Sequence, residues 1–196
     1  MTKAAETRYL ILQKAFELIY TKGYQATSID DIVATTAVTK GAFFYHFKNK
    51  DDMGLAVIKE IMIPFAGESF VQALKNTSDP AKAIYSLMKI LLLENPLLTL
   101  KYGCPAGNMI QEMSPRSPAF QKALTELSSQ WQKVIEESIR SGKKAGTVRA
   151  SVNGKQVAYF IMSGYWGIRE FGKLQSTKAC YNMYLSELKR YLKTLS

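Results

Sequence analysis

"VTKGAFFYHFKNKDDM", residues 38–53, has a composition that suits neither a core helix nor a fully solvated one. Four aromatic rings surround the chain's one histidine, with three lysines and a small glycine-alanine pair close by. Lysines are rarely buried, and a cluster of exposed rings is uncommon on a surface that contacts only water. The stretch therefore predicts a helix with one face in a core and another face against a partner.

This stretch and the residues before it predict two short helices joined by a tight turn. A longer helix, from about Ala5 to Lys22, ends at Gly23, where a glycine commonly closes a helix. Ser28 and Asp31 have the spacing of a capping box, and Thr39 is a good N-cap for the next helix. This order matches a helix-turn-helix, whose second helix enters the major groove of DNA.

The motif predicts which side chains face DNA. Thr39 and Lys40, at the start of the second helix, offer a hydroxyl and an ammonium to base edges. Small side chains follow at Gly41 and Ala42, so the helix can approach closely, and Ala42 can contact a thymine methyl group.

The same helix also predicts core and phosphate contacts. Phe43 and Phe47, one turn apart, should point into the small core. Contacts to phosphate oxygens are predicted for Tyr45, His46, Lys48 and Lys50.

"GYQATSIDDIVATTAVTKGAFFYHFKNKDDM", residues 23–53, resembles the DNA-binding signature of the TetR family of bacterial transcriptional regulators. The similarity covers about Ala5 to Leu55, and "GCPAGNMIQEMSPRSPAF", residues 103–120, is similar to a stretch of one branch of that family. The resemblance implies a homodimer with a three-helix DNA-binding domain and a helical ligand-binding domain. It also implies that ligand binding releases a pseudo-palindromic operator, and that the last two helices, about 154–172 and 176–195, pair with those of a second copy.

Residue by residue, the resemblance implies contacts along the whole motif. It places Thr27 and Ser28 at the DNA-backbone contact that starts the first short helix, and it repeats the base-facing and phosphate-facing roles given above. Many relatives have a phosphate-binding tyrosine where this chain has Phe44, which has no hydroxyl. Phe44 is therefore expected to pack on a sugar or a thymine methyl group.

Helical periodicity continues to the end of the chain, so the predicted fold is all-α. We expect a helix-turn-helix domain over residues 1–50 and a helical ligand-binding and dimerisation domain over residues 51–196. The net charge of +10 suits a polyanionic partner, although residues 1–60 hold only +1 of it and residues 61–196 hold +9. With two cysteines and neither a leader nor a membrane-spanning stretch in view, a cytoplasmic location without membrane contact is expected.

The effector site is predicted only from large apolar residues and one thiol. The candidates in the middle of the chain are Met88, Tyr102, Cys104, Met109, Trp131, Phe160 and Trp166, each of which also suits a plain core. The +9 charge of residues 61–196 favours an anionic or amphipathic small molecule. Cys104, just before a predicted helix and near Lys101, is either a buried apolar residue or a thiol that senses electrophiles or oxidants.

Three functions from different classes are considered for this sequence. They are a ligand-responsive repressor, a DNA-binding dimer that recruits a protein partner without a small molecule, and an all-helical enzyme. The enzyme is least favoured, because the sequence has one histidine, no glycine-rich phosphate loop and no metal-ligand cluster. We therefore expect no catalytic residue, no metal and no cofactor.

Overall fold

A computed structural model describes residues 2–67, 72–75 and 77–196, and over these residues the chain is all-helical, without strands. The first helices are α1 Lys3–Lys22, α2 Ile29–Ala34, α3 Lys40–His46, α4 Lys50–Val57, a π-helical turn over Ile58–Met62, and α5 Ile63–Ala66. The others are α6 Gln72–Leu74, α7 Pro80–Lys89 with a π-helical turn over Ile90–Glu94, α8 Pro105–Met113, α9 Pro118–Lys144, α10 Gly154–Gly172 and α11 Ala179–Lys193. In this described part of the chain, no helix combines the length and the apolar character that a membrane span needs.

The chain forms two compact units. One comprises Met1–Phe65 with Pro105–Leu127, and the other comprises Ala66–Cys104 with Ser128–Ser196. This division differs from the expected boundary after residue 50, because α4 and the π-helical turn that follows it pack against α1. A segment distant in sequence, α8 with the first part of α9, also belongs to the first unit.

The core of the first unit is built on α1. Its buried residues Ile11, Leu12, Ala15 and Ile19 recur at helical spacing, and α2, α3 and α4 pack against this helix. Gly23 ends α1 with a φ of +93°, and its N–H donates to the Ile19 carbonyl at 2.9 Å. The predicted helix end at Gly23 is confirmed, and its positive φ is a conformation that side chains strongly disfavour.

Local caps set where the next three helices begin. Ser28 Oγ accepts from the Asp31 N–H at 3.0 Å, and Asp31 Oδ2 accepts from the Ser28 N–H at 2.9 Å, which confirms the capping box. Thr39 caps α3 through the Ala42 N–H, as predicted, and Asn49 caps α4 through the Asp52 N–H. The chain therefore turns between α2 and α3 at positions fixed by side-chain oxygens.

The π-helical turn Ile58–Met62 ends two residues before Pro64. Ile63 donates its N–H to the carbonyl of Ile58, five residues earlier. Pro64 has no N–H, and its ring conflicts with the carbonyl four residues before it in a regular helix. A wider turn at this point lets the helix continue through the proline.

The second unit is organised around α7, α10 and α11, with α11 packed against the other two. The guanidinium of Arg169, in α10, is fully buried and donates to the carbonyls of Leu98, Thr99 and Gly103. These bonds fix the loop before α8, where Gly103 has a φ of +65°. A buried charge with several acceptors is a costly group that orders its surroundings.

Candidate nucleic-acid interface

Helix α3 has one buried side and one exposed side. Phe43 and Phe47 are 0% and 1% exposed, and their ring centroids lie 5.5 Å apart. The neighbouring Phe44 and Tyr45 are 49% and 78% exposed. The prediction that Phe43 and Phe47 point into the core is confirmed. These two rings fix the rotation of α3, which leaves Phe44 and Tyr45 at the surface.

The N-terminal end of α3 presents small groups and one cation. Lys40 lies at the first position of the helix, and its Nζ is 2.7 Å from Asp30 Oδ1 of α2. Gly41 is exposed, and a Cβ on it would meet only Thr39 Oγ1, at 3.9 Å. The backbone of α3 is therefore accessible here to a bulky partner.

The C-terminal end of α3 is held by an arginine that the sequence did not reveal. Arg8, in α1, donates to the carbonyl of His46 at 3.0 Å, and its guanidinium lies 4.4 Å from the centroid of the Phe47 ring. Two further bonds join Arg8 to the Glu60 carboxylate, and they raise the pKa of Arg8. No local pattern links Arg8 to His46, since they are 38 positions apart.

The two candidates at the start of α2 differ in placement. Ser28 is exposed, and it is the N-cap of the helix. Thr27 is 0% exposed, and its hydroxyl donates to the Gly23 carbonyl at 2.8 Å. The resemblance placed Thr27 on the contact surface, whereas the structure places its side chain inside the first of the two compact units, the head. Its hydroxyl holds the loop between α1 and α2 and is not presented to a partner.

Two lysines flank the start of α4. Lys48 is exposed, and its backbone N–H donates to Asp52 Oδ2 at 3.0 Å. Lys50 is half-buried, with Nζ 3.3 Å from the Gln25 carbonyl and 4.5 Å from the centroid of the Tyr24 ring. Burial lowers the pKa of Lys50, because it removes water from the ammonium. Burial also raises the pKa of Tyr24, whose hydroxyl donates to Asp51 at 2.6 Å.

Ten of the eleven candidates for DNA contact thus lie at the surface of one unit. We call them the α3 surface: Ser28, Thr39, Lys40, Gly41, Ala42, Phe44, Tyr45, His46, Lys48 and Lys50. The α3 surface combines hydroxyls, ammonium groups and exposed rings on short, capped helices. Such groups can contact phosphates and base edges.

The seven candidates for an effector site are not all brought together. The Trp131 ring lies 6.4 Å from that of Trp166 and 5.6 Å from that of Tyr165, centroid to centroid. Met88 and Cys104 are buried in the same unit, and Tyr102 is half-buried there. Phe160 is 52% exposed and contacts Tyr191, at 4.2 Å between centroids, whereas Met109 belongs to the first unit.

An open groove of about 580 Å³ lies between the C-terminal part of α9 and the start of α10. None of the seven candidates lines it. Its lining residues are Lys133, Glu136, Glu137, Ile139, Arg140, Lys143, Asn153, Gly154 and Lys155. Across residues 2–67, 72–75 and 77–196, no three His, Cys, Asp or Glu side chains are grouped so that they could hold a metal ion.

Comparison with known proteins gives matches along most of the chain. Residues 11–57 match the model for bacterial regulatory proteins of the tetR family, and residues 74–187 match the model for the tetracyclin repressor-like C-terminal domain. An HTH-type transcriptional regulator from the lacX 3' region of Lactococcus lactis subsp. lactis is 34% identical over 133 residues, 68% of each chain.

Two further matches extend over almost the whole chain. The HTH-type transcriptional repressor DhaR of Mycobacterium sp. (strain GP1) is 24% identical over 91% of this chain and 88% of its own. The crystal structure of a TetR-family transcriptional regulator from Cytophaga hutchinsonii superposes with a TM-score of 0.86 at 20% identity, covering 100% of this chain and 98% of that one. At 20% identity, the match to the Cytophaga hutchinsonii structure shows a shared fold.

Proposed function

This chain belongs to the TetR family of bacterial transcriptional regulators, and from that premise we propose that it is a dimeric repressor that leaves a pseudo-palindromic operator when a small molecule binds. The single observation that carries the proposal is the two-sided α3. Buried Phe43 and Phe47 fix the rotation of the helix. Tyr45, Lys40 and Lys48 are therefore exposed. A helix held this way can enter the major groove without losing its core.

The geometry supports a different role for each end of the α3 surface. Lys40, Gly41 and Ala42 lie at the N-terminal end of α3 and face base edges. Tyr45 and Lys48 are exposed at its far end and contact phosphates. Ser28 contacts the DNA backbone from the start of α2.

A homodimer is supported by a second exposed surface, made by α10 and α11. We call it the α10–α11 surface and define it by its exposed apolar residues Tyr159, Phe160, Phe171, Leu174 and Met183. Phe160, Gly167 and Phe171 recur at intervals of seven and four residues, as on one side of α10. Two copies that bury such a surface present two α3 helices to two half-sites of DNA, one helical turn or a multiple of it apart.

The effector site is proposed around the rings of Trp131 and Trp166. Among the described residues, the buried indole N–H of Trp166 and the buried hydroxyl of Tyr184 have no hydrogen-bond partner. Burial raises the pKa of Tyr184 to about 12, so this hydroxyl is a neutral donor at neutral pH. Buried donors of this kind are usually satisfied, and a polar group on a ligand can satisfy them. The charge of residues 61–196 supports an anionic or amphipathic effector.

A small-molecule effector is favoured over a thiol sensor by the position of Cys104. Its side chain is 3% exposed, so an oxidant or electrophile reaches it only after the loop before α8 opens. We therefore propose that Cys104 is a packing residue.

Selection from random DNA tests the operator proposal. Duplexes of about 30 base pairs, three helical turns, are enriched on the wild-type protein and then measured by fluorescence anisotropy against unlabelled competitor. We expect enriched sequences with two inverted half-sites and binding that resists non-specific competitor. Enrichment without symmetry, or binding that competitor abolishes, contradicts the proposal.

Tryptophan fluorescence tests the effector proposal, because Trp131 and Trp166 are the chain's two tryptophans. Long-chain carboxylic acids and matching neutral alcohols are titrated into the protein, and release of the selected duplex is followed in parallel. We expect the acids to quench more strongly and to release DNA. Equal quenching by acids and alcohols contradicts an anionic effector, and quenching without release contradicts the regulatory role.

A further inference from the structure

The loop between α1 and α2 is held by a carboxylate that is far away in sequence. Glu112, in α8, accepts from the backbone N–H of Tyr24 at 3.2 Å and from that of Gln25 at 2.9 Å, one bond to each oxygen. Charged acceptors make stronger hydrogen bonds than neutral ones, and two parallel bonds also fix direction. A Cβ on Gly23 would lie 2.8 Å from Glu112 Oε1, so this approach depends on the glycine.

Gln25 is contacted from three directions. Its N–H donates to Glu112, its side-chain Nε2 donates to Met113 Sδ at 3.1 Å, and its carbonyl accepts from Lys50 Nζ at 3.3 Å. One residue therefore links an anionic side chain of α8 to a cationic side chain of the α3 surface. Glu112 therefore holds the N–H of Gln25, and the carbonyl of the same residue accepts the bond from Lys50.

A lysine that is already held in place loses less freedom when it contacts a phosphate. A free lysine side chain gives up rotamer entropy when it binds. Tyr24 contributes to holding Lys50, since the ammonium also lies over its ring. If the loop moves, both contacts to Lys50 move with it.

We propose that Glu112 is a positioning residue for DNA binding, which holds Gln25 so that the Lys50 ammonium stands ready to contact a phosphate. This inference rests on the proposed function, because it assigns Glu112 to the same DNA-binding head. Glu112 itself does not contact DNA in this arrangement.

A double-mutant cycle with salt dependence tests the proposal. Glu112→Gln, Lys50→Met and the double variant are compared with wild type and with Gln111→Ala, a change at the exposed neighbouring position of α8. Affinity is measured between about 50 and 200 mM salt, on the duplex selected by wild type and on a mixed-sequence duplex of equal length.

The expected result is a shared loss. Lys50→Met and Glu112→Gln each weaken binding about 5- to 10-fold, and each lowers the slope of log affinity against log salt by about 1, the loss of one phosphate contact. The double variant is no weaker than Lys50→Met alone, since both changes remove the same contact. An unchanged slope in Glu112→Gln, or losses that multiply in the double variant, overturn the proposal.

Amide hydrogen exchange provides a readout without DNA. We expect the Gln25 amide to be protected in wild type and to exchange about 10-fold faster in Glu112→Gln, with Gln111→Ala like wild type. A Gln25 amide unprotected in wild type overturns the proposal even if Glu112→Gln does not fold. Failure of the proposed function gives a different result, because wild type would then select no specific duplex. Amide exchange at Gln25, and the salt dependence of affinity for the mixed-sequence duplex, would still test the role of Glu112.

Discussion

The α3 surface and the α10–α11 surface both expose aromatic rings, and they differ in the charges around them. Residues 38–50 bring Lys40, Lys48 and Lys50 next to Phe44 and Tyr45. Tyr159 and Phe160 instead lie in a stretch of α10, residues 156–168, without a charged side chain. The charges next to Phe171 and Leu174, those of Glu170 and Lys173, form an ion pair with each other. Rings among cations suit a polyanion, because the cations supply affinity and the rings pack on sugars and bases. Rings without an excess of charge suit an apolar partner, such as a second copy of the same surface. Exposed aromatic residues alone therefore do not identify the partner, and the neighbouring charges do.

The largest effect should distinguish the two sides of α3. Phe43→Ala removes a fully buried ring and should destabilise the protein by about 3–5 kcal/mol. The adjacent Phe44→Ala should change stability by no more than about 0.5 kcal/mol and should instead weaken DNA binding. Urea unfolding and anisotropy on both variants check this pair. Equal stability losses would contradict the assignment of Phe44 to the contact surface.

The second effect concerns the α10–α11 surface. A Cβ on Gly167 would meet no atom within 4 Å, so Gly167→Arg should leave each protomer folded. In the proposed dimer it buries an unpaired charge, and we expect dimer dissociation to become at least about 100-fold more favourable, about 2.7 kcal/mol. Analytical ultracentrifugation measures the dissociation constant of the dimer. Gln121→Arg, which adds the same charge at an exposed position of α9, is the control. A Gly167→Arg protein that remains as dimeric as the control would locate the interface elsewhere.

The smallest effect is a pH dependence at the start of α2, beside the α3 surface. The Ser28 N–H and hydroxyl lower the pKa of Asp31 below its ordinary value. Because the folded pKa is the lower one, Asp31 stabilises the fold above its unfolded pKa of about 3.9, and this contribution is lost as pH falls through the folded pKa. The melting temperature of wild type should therefore be higher than that of Asp31→Asn near pH 7, and the difference should shrink below about pH 4. Thermal melts from pH 7 downward check this, and a difference that grows in acid would contradict it.

Sequence patterns predicted the parts of the head that depend on neighbours along the chain. The caps at Ser28 and Thr39 involve residues three positions apart, and the burial of Phe43 and Phe47 follows from their spacing of one turn. These contacts are local, so propensity and periodicity suffice to find them.

Contacts between distant positions were not predictable in this way. The Arg8 bond to the His46 carbonyl and the Glu112 bonds to the loop after α1 join residues 38 to 88 positions apart. Thr27 fits the contact motif in sequence, but a threonine hydroxyl can also bond the carbonyl four residues earlier, and here it does. Phe160 lies in a helix that is apolar on several sides, so periodicity did not show which side is exposed.

The most direct test of the central claim, that the α3 surface binds DNA, is one anisotropy experiment on the duplex selected by wild type. Lys40→Ala combined with Tyr45→Phe removes an ammonium and a hydroxyl from the α3 surface, whereas Tyr9→Phe removes the same hydroxyl from an exposed tyrosine of α1, outside both surfaces. We expect the first variant to bind about 30-fold or more weakly, since two lost polar contacts cost about 1 kcal/mol or more each. Tyr9→Phe should bind as wild type does. Wild-type affinity in Lys40→Ala with Tyr45→Phe, or an equal loss in Tyr9→Phe, would contradict the claim.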